Sequence, residues 1–369
     1  MPHQPMQSIP WARPVIGEAE RHYVLDALES TWISGGTYVD RLEREMAEYH
    51  HVRHALTASN GTTAIHMALL AAGVDQGDDV VIPGFGFLAA ANVVLHLRAN
   101  PVFVEVDPLT WCANADTVSA GISPRTKAIV LIHSYGNVCP MDDLVELARS
   151  RDIPIIEDAA ESFGSRWKGR VCGTFGLCGT LSFQATKTIA TGEGGMVLTD
   201  DTDLYERMWL YRNHGMKNRR YWHELAGHNF RLTNLQAAVG CGQFERLEQT
   251  ITSRRQMDAC YRSLLKDIDG VGLQLYLPEV DPVVWAVAVR LDAVAFPQGR
   301  DTVIAQLAES GIETRPGFYA PSQMTHLYQT HSLPVCEAIA SQIISLPSYT
   351  TITPSDIQRV CTELRALRK

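Results

Sequence analysis

Lys187 stands in Leu181-Ser182-Phe183-Gln184-Ala185-Thr186-Lys187-Thr188, just before Thr191-Gly192-Glu193-Gly194-Gly195. About thirty residues upstream, the apolar run Ile155-Ile156 leads into Glu157-Asp158-Ala159-Ala160-Glu161. A deprotonated lysine amine condenses with an aldehyde to a Schiff base, and a carboxylate at a strand end holds a pyridine nitrogen protonated. That pair is what pyridoxal phosphate (PLP) chemistry needs. Either residue alone would read as a solvated surface charge.

Two further segments can serve the same group. Ser59-Asn60-Gly61-Thr62-Thr63-Ala64 falls where a strand gives way to a helix, and a helix start rich in Gly and Thr offers amides and hydroxyls to a phosphate. By itself such a segment is more often only a capped helix. In Pro83-Gly84-Phe85-Gly86-Phe87 an aromatic beyond a strand end can stack on a ring, although an isolated Phe is usually core. Ser182 adds a hydroxyl. The order of all four segments carries the reading. Gly84-x-Gly86-x-x-Ala89 has the form of a dinucleotide fingerprint but follows a Pro and lacks the acid expected downstream. His50-His51-Val52-Arg53-His54 reads as a helix end with solvated histidines, and Cys172 and Cys178 fit no common zinc spacing, so no metal is expected.

These residues need a scaffold that brings them to one edge. Strand and helix signals alternate: Ala55–Ala58, a helix over Thr62–Ala72, Asp79–Ile82, a helix over Phe87–His96, Pro101–Val106, Lys127–Ile132, a helix over Met141–Arg151, then Ile153–Glu157. Short apolar runs between amphipathic helices imply βαβ units and a mostly parallel sheet, whose ligands gather beyond the strands' carboxyl ends, where Asp158 falls. Leu232, Leu235, Val239, Phe244, Leu247 and Ile251 suggest one long helix leading out of that sheet. Val283–Val289 reads as a strand, with helices near 300–310, 336–344 and 355–367. The division expected is an N-terminal segment 1–30 packing on the small domain, a large domain 31–254 and a smaller α+β domain 255–369.

The chain has 369 residues, 46% of them apolar, which supports large cores; a net charge of −9 disfavours nucleic acid as a partner. No stretch approaches the roughly 18 apolar residues of a membrane span. Met1–Met6 lacks the basic and apolar regions of a signal peptide, and eight irregularly spaced cysteines read as reduced thiols, so a cytoplasmic protein is expected.

Gly61-Thr62-Thr63-Ala64, Glu157-Asp158-Ala159-Ala160, Ser182-Phe183-x-x-x-Lys187 and Gly192-Glu193-Gly194-Gly195 together resemble the DegT/DnrJ/EryC1/StrS family of fold-type-I, PLP-dependent sugar aminotransferases, from about Trp32 to Tyr349. Tyr221-Trp222-His223-Glu224 and Gly227–Asn234 resemble its GDP-perosamine synthase branch, which aminates C4 of a GDP-linked 4-keto-6-deoxymannose. The resemblance implies a large α/β domain with a mostly parallel seven-stranded sheet plus a smaller domain. It implies Lys187 as Schiff-base lysine and proton shuttle, with Asp158 on the pyridine nitrogen. Thr62, Thr63 and Ser182 would bind the phosphate, Phe87 would stack on the ring, and Glu161 would lie near the cofactor's 3′ oxygen. Asn229 would reach the phosphate from the partner subunit of a homodimer. Arg231 is a candidate for the donor carboxylate, and His214, Trp222 and Tyr319 for the substrate side. The donor implied is L-glutamate, leaving as 2-oxoglutarate, and the acceptor a nucleotide-linked ketosugar.

Three departures stand out: Glu161 where Gln or His is usual, Gly86 where Thr or Ser is usual, and Ser322-Gln323-Met324 where relatives carry Leu-His-Arg. Transfer to C3 or C4 of a dTDP- or UDP-linked sugar, and a non-catalytic binder of PLP or a sugar nucleotide, stay open on these residues. Dehydration at C3 is disfavoured because Lys187 is retained where dehydratases carry His.

Overall fold

The computed structural model describes residues 8–327 and 332–369; the Met1–Met6 stretch lies outside them. In chain order, α1 (Glu18–Glu29) and α2 (Thr37–His50) precede β1 (His54–Ala58), α3 (Gly61–Ala71), β2 (Asp79–Pro83), α4 (Ala89–His96), β3 (Asn100–Val104), α5 (Ala115–Gly121), β4 (Thr126–Ile132), α6 (Met141–Arg151) and β5 (Ile155–Asp158). A short pair, β6 (Arg166–Trp167) and β7 (Arg170–Val171), leads to β8 (Cys178–Ser182), β9 (Gly195–Thr199), α7 (Thr202–Arg212), α8 (Asn234–Glu245) and α9 (Leu247–Leu265). The remainder comprises β10 (Val271–Leu273), β11 (Val280–Asp281), β12 (Ala288–Leu291), α10 (Arg300–Glu309), β13 (Arg315–Pro316), α11 (Pro334–Gln342), β14 (Ile343–Ser345) and α12 (Pro354–Ala366).

The main sheet has seven strands in the order β1-β9-β8-β5-β4-β2-β3, with β9 antiparallel to both its neighbours and the other pairs parallel. β2, β5 and β9 are buried along their whole length because helices cover both faces, which is why their sequences are apolar runs rather than alternations. The topology settles where chemistry can occur. The carboxyl ends of β1, β5 and β8 and the amino end of β9 meet at one edge, so Asn60, Asp158, Ser182 and Gly195 converge from four distant stretches of chain.

Leu247 and Ile251 of α9 pack in the core of this sheet, whereas Met257, Tyr261 and Leu265 pack in a second core under the antiparallel sheet β10-β12-β14-β13. The boundary expected at 254/255 therefore falls inside a helix shared by the two cores. Of the N-terminal segment, Ile9 bridges to Ile312 and Trp11 donates its N–H to Glu313 in the second unit, while α1 lies along α8 of the first.

The single helix expected through 232–251 is two helices. It breaks at Arg246, whose guanidinium is drawn to Glu20 and to the Val15 carbonyl. The strand expected from Val283 begins only at Ala288, because the preceding amides are used elsewhere: Val283 N–H donates to Ser165 Oγ and Trp285 N–H to the Tyr135 carbonyl. His50 is not solvated; it is buried at the end of α2, donates Nδ1–H to the Met46 carbonyl (2.8 Å), and burial lowers its pKa to about 4. All eight cysteines are free thiols, seven of them buried. Among the described residues no group of His, Cys, Asp and Glu is placed to hold a metal, and no helix is long and apolar enough to cross a membrane.

Glu157 shows how the edge is braced. Fully buried beside Asp158, it accepts the amides of Gly173 (2.7 Å), Phe175 (2.6 Å) and Gly176 (2.8 Å) and lies 3.1 Å from His133 Nε2. Cys139 N–H donates to His133 Nδ1, which leaves the proton on Nε2 to face Glu157. Glu157→Ala is expected to cost about 3–5 kcal/mol in urea unfolding, since several buried donors lose their acceptor at once.

Candidate active site

A cavity of about 720 Å³ opens at the converging strand ends. On one side lies the start of α3. Asn60 Oδ1 accepts the Thr63 amide (2.9 Å), and Thr63 Oγ1 in turn accepts the Asn60 amide (3.1 Å) and donates to the Asn60 carbonyl (2.8 Å). The Thr63 hydroxyl is thus engaged in the helix cap, whereas Thr62 is exposed to the cavity. Ser182 sits directly over this turn: a Cβ on Gly61 would lie 2.9 Å from Ser182 Cβ, so only glycine lets the hydroxyl approach the helix amides. Gly195 obeys the same constraint, its virtual Cβ falling 2.4 Å from the Asn60 carbonyl oxygen. A helix N-terminus, free amides and two hydroxyls form a cup suited to a phosphate.

Lys187 lies at the tip of the β8–β9 connection. That loop is cross-tied by Ala185 N–H to the Gly192 carbonyl, Thr191 N–H to Phe183 and Lys187 N–H to Gln184. Its Nζ makes no ion pair among the described residues and rests 3.6 Å above the Trp285 ring. Burial lowers the Lys187 pKa; Glu161 and Asp158 pull it back up, and Arg254 pushes it down again. The net direction favours the free amine.

Asp158 Oδ1 accepts the Ala160 amide (3.1 Å) and its other oxygen has no hydrogen-bond partner among the described residues. Burial raises its pKa, against the Ala160 amide, Lys187 and His133. Glu161 Oε2 accepts the Tyr135 amide (2.9 Å), a donor aimed by a left-handed backbone at Tyr135 (φ 60°). Burial, aided by Asp158, raises Glu161 from 4.5 to about 7 against Lys187 and the Tyr135 amide. A raised folded-state pKa gives stability that is whole below the unfolded value and lost as pH rises through the folded one. Without cofactor, Glu161→Gln is therefore expected to gain on wild type as pH rises from about 5 to about 8, by on the order of 2–3 kcal/mol in denaturant unfolding.

Phe87 lines the cavity, 60% exposed, with Phe318 edge-on at 6.2 Å. Asn229, Arg231, His214, Trp222 and Tyr319 are not among the residues lining this cavity in their own chain. Asn229 bridges to Asn213, His214 N–H donates to the His228 carbonyl, Trp222 is exposed, and Tyr319 lies under Arg300. Trp11 and Trp285, which the sequence reading did not single out, do line it, edge-to-face at 5.7 Å. Only the tryptophan in each apolar run hinted at them.

A model of the DegT/DnrJ/EryC1/StrS aminotransferase family matches residues 14–365. The chain belongs to that family. GDP-perosamine synthase of Escherichia coli O157:H7 is 38% identical over 361 residues, 96% of this chain and 97% of its own length; that of Caulobacter vibrioides is 40% identical over 362 residues, 96% of each. Among solved structures, the aminotransferase TlmJ from Streptoalloteichus hindustanus superposes with a TM-score of 0.91 at 32% identity, covering 98% of both chains. Members of the family use PLP, and the cleft fits it: it is lined by a phosphate cup at α3, by Asp158 with a carboxylate oxygen unpaired among the described residues and free for a ring N–H, and by Lys187 with an amine likewise in no ion pair.

Proposed function

We propose that this aminotransferase moves an amino group from L-glutamate to C4 of GDP-4-keto-6-deoxy-D-mannose, giving GDP-perosamine and 2-oxoglutarate. The observation that carries the reading is near full-length similarity, at 34–40% identity, to three proteins named GDP-perosamine synthase. Retention of Lys187 in a cleft with Asp158 and a phosphate cup supports amine transfer rather than mere binding.

Bound here, PLP supplies an aldehyde that carries the amine between donor and acceptor and a ring that draws electrons from the carbon losing its proton. Lys187 Nζ would hold the cofactor through its aldehyde and, when freed, would serve as the base and acid that moves a proton between the cofactor and the carbon losing or gaining the amine. Asp158 keeps the ring nitrogen protonated. Thr62, Ser182 and the α3 amides would hold the phosphate, the Thr63 hydroxyl staying on the helix cap, and Phe87 would cover the ring face. Glu161, ordered by the Tyr135 amide, would face the cofactor's 3′ oxygen as a proton donor, a role open to a carboxyl raised to about 7 by burial. The position of Asn229 outside its own chain's cleft supports a homodimer in which Asn229 of the partner subunit completes the phosphate site. Arg231, for the donor carboxylate, and His214, Trp222 and Tyr319, for the sugar side, rest on the family resemblance alone, since none lines the cleft of its own chain. Eight free thiols support a cytoplasmic setting.

The test is incubation of purified protein with L-glutamate and GDP-4-keto-6-deoxymannose, following 2-oxoglutarate and the product's mass and amine position. Equimolar 2-oxoglutarate and a 4-amino sugar are expected. An amine found only at C3, or turnover confined to dTDP- or UDP-linked ketosugars, would overturn the perosamine reading.

A further inference from the structure

Arg254 on α9 is 4% exposed and has no carboxylate partner among the described residues. Its Nη1 donates to the carbonyls of Val284 (3.2 Å) and Trp285 (2.7 Å), its Nη2 to the carbonyl of Lys187 (3.4 Å), and its buried Nε has no hydrogen-bond partner among the described residues. A buried guanidinium held only by carbonyl dipoles is a costly arrangement, and burial lowers its pKa to about 10. The indole of the same Trp285 lies 3.6 Å from Lys187 Nζ and donates Nε1–H to the Thr186 carbonyl (3.0 Å). The contacts close a ring: Lys187 peptide, Arg254, Trp285 peptide, Trp285 indole, and back to the lysine.

We propose that Arg254 is a positioning residue for Lys187, pinning its peptide against Trp285 and supplying the fixed positive charge that opposes Asp158 and Glu161 at the lysine amine. This rests on Lys187 being the reactive amine. The charged groups facing Lys187 come from three sides. Asp158 and Glu161, at the end of β5, favour the ammonium form, and Glu193 of the glycine-rich loop lines the same cavity. Behind the lysine a smaller cavity of about 220 Å³ is lined by Arg13, Arg246, Arg254 and Tyr349, and by no Asp or Glu. Of these cations Arg254 is the one bonded to the Lys187 peptide, and Arg246 is already drawn to Glu20. A neutral side chain could fill the space of Arg254 but would leave Asp158 and Glu161 opposed at the lysine by burial alone.

The test is competition labelling of the full-length, cofactor-free chain with acetic anhydride across pH, reading acetylation of the Lys187 peptide by mass spectrometry. Arg254→Met is expected to move the labelling curve to higher pH, with roughly three- to tenfold less reactive amine at neutral pH. Arg254→Lys is expected to restore the wild-type curve even where its melting temperature falls. A wild-type curve in a folded Arg254→Met protein would reduce Arg254 to a structural tie, and a curve for Arg254→Lys displaced as far as that for Met would refute the charge. Should the Met variant not fold, Arg254→Gln is read in the same way. Because neither cofactor nor sugar is present, failure of the GDP-sugar assay leaves this result standing, and the reverse holds too.

Discussion

Lys187→Ala is expected to abolish turnover while leaving the fold intact. The side chain makes no ion pair and no side-chain hydrogen bond among the described residues; its backbone carries the loop's ties, through N–H to Gln184 and the carbonyl to Arg254. Removing the amine thus removes chemistry and little structure. Loss of the proton shuttle alone is worth about 10²–10⁴-fold in kcat, and loss of the covalent attachment adds to it. Two measurements check this: steady-state 2-oxoglutarate release, and the visible absorbance of protein given PLP and then desalted. Wild type should keep the band and the variant should lose it. Retained turnover in Lys187→Ala would sink the reading of the whole site, not only of this residue. The same change relieves the opposing pulls on Asp158 and Glu161, so both carboxyls should become harder to ionise in the variant.

Asp158→Asn is the second large effect. The two side chains have nearly the same shape, and the Ala160 amide keeps its acceptor if the amide oxygen takes the place of Oδ1. What Asn cannot do is bear the negative charge that holds a ring nitrogen protonated. Leaving such a buried charge unpaired typically costs 3–5 kcal/mol, so kcat should fall on the order of 10²–10⁴-fold. Without cofactor the sign reverses. Burial already disfavours the Asp158 carboxylate, so the variant should be at least as stable as wild type at neutral pH. Rate loss together with undiminished stability identifies a group retained for chemistry. Near-normal kcat would remove Asp158 from the ring-nitrogen role.

The particular elements show what was legible in the chain. α3, α6, α10 and α12 and strands β1 to β5 were readable because each is a local pattern: an apolar run bounded by turn residues, or a stripe at helical spacing, sharpened at α3 and α12 by a capping side chain. The break at Arg246 and the late start of β12 were not, because each is decided by partners far away in sequence, Glu20 for the one and Ser165 and Tyr135 for the other. His50 was misjudged for the same reason: nothing local reports that Phe163 packs edge-on against its ring at 5.5 Å.

The sequence by itself determined the chemistry. Lys187, Asp158, Thr62 and Ser182 are residue types with few other uses in that order, and their segments end strands or start helices wherever the chain folds as α/β. Tertiary structure alone decided what surrounds the amine. It brought Trp285, Arg254 and Trp11 from stretches distant in sequence to the surroundings of Lys187 and spent the Thr63 hydroxyl on a helix cap. It also left Glu161 buried between a cation and a second carboxyl. The physical reason is that bond-forming capacity belongs to a side chain, whereas its pKa and orientation belong to the low-dielectric neighbourhood that distant segments build around it.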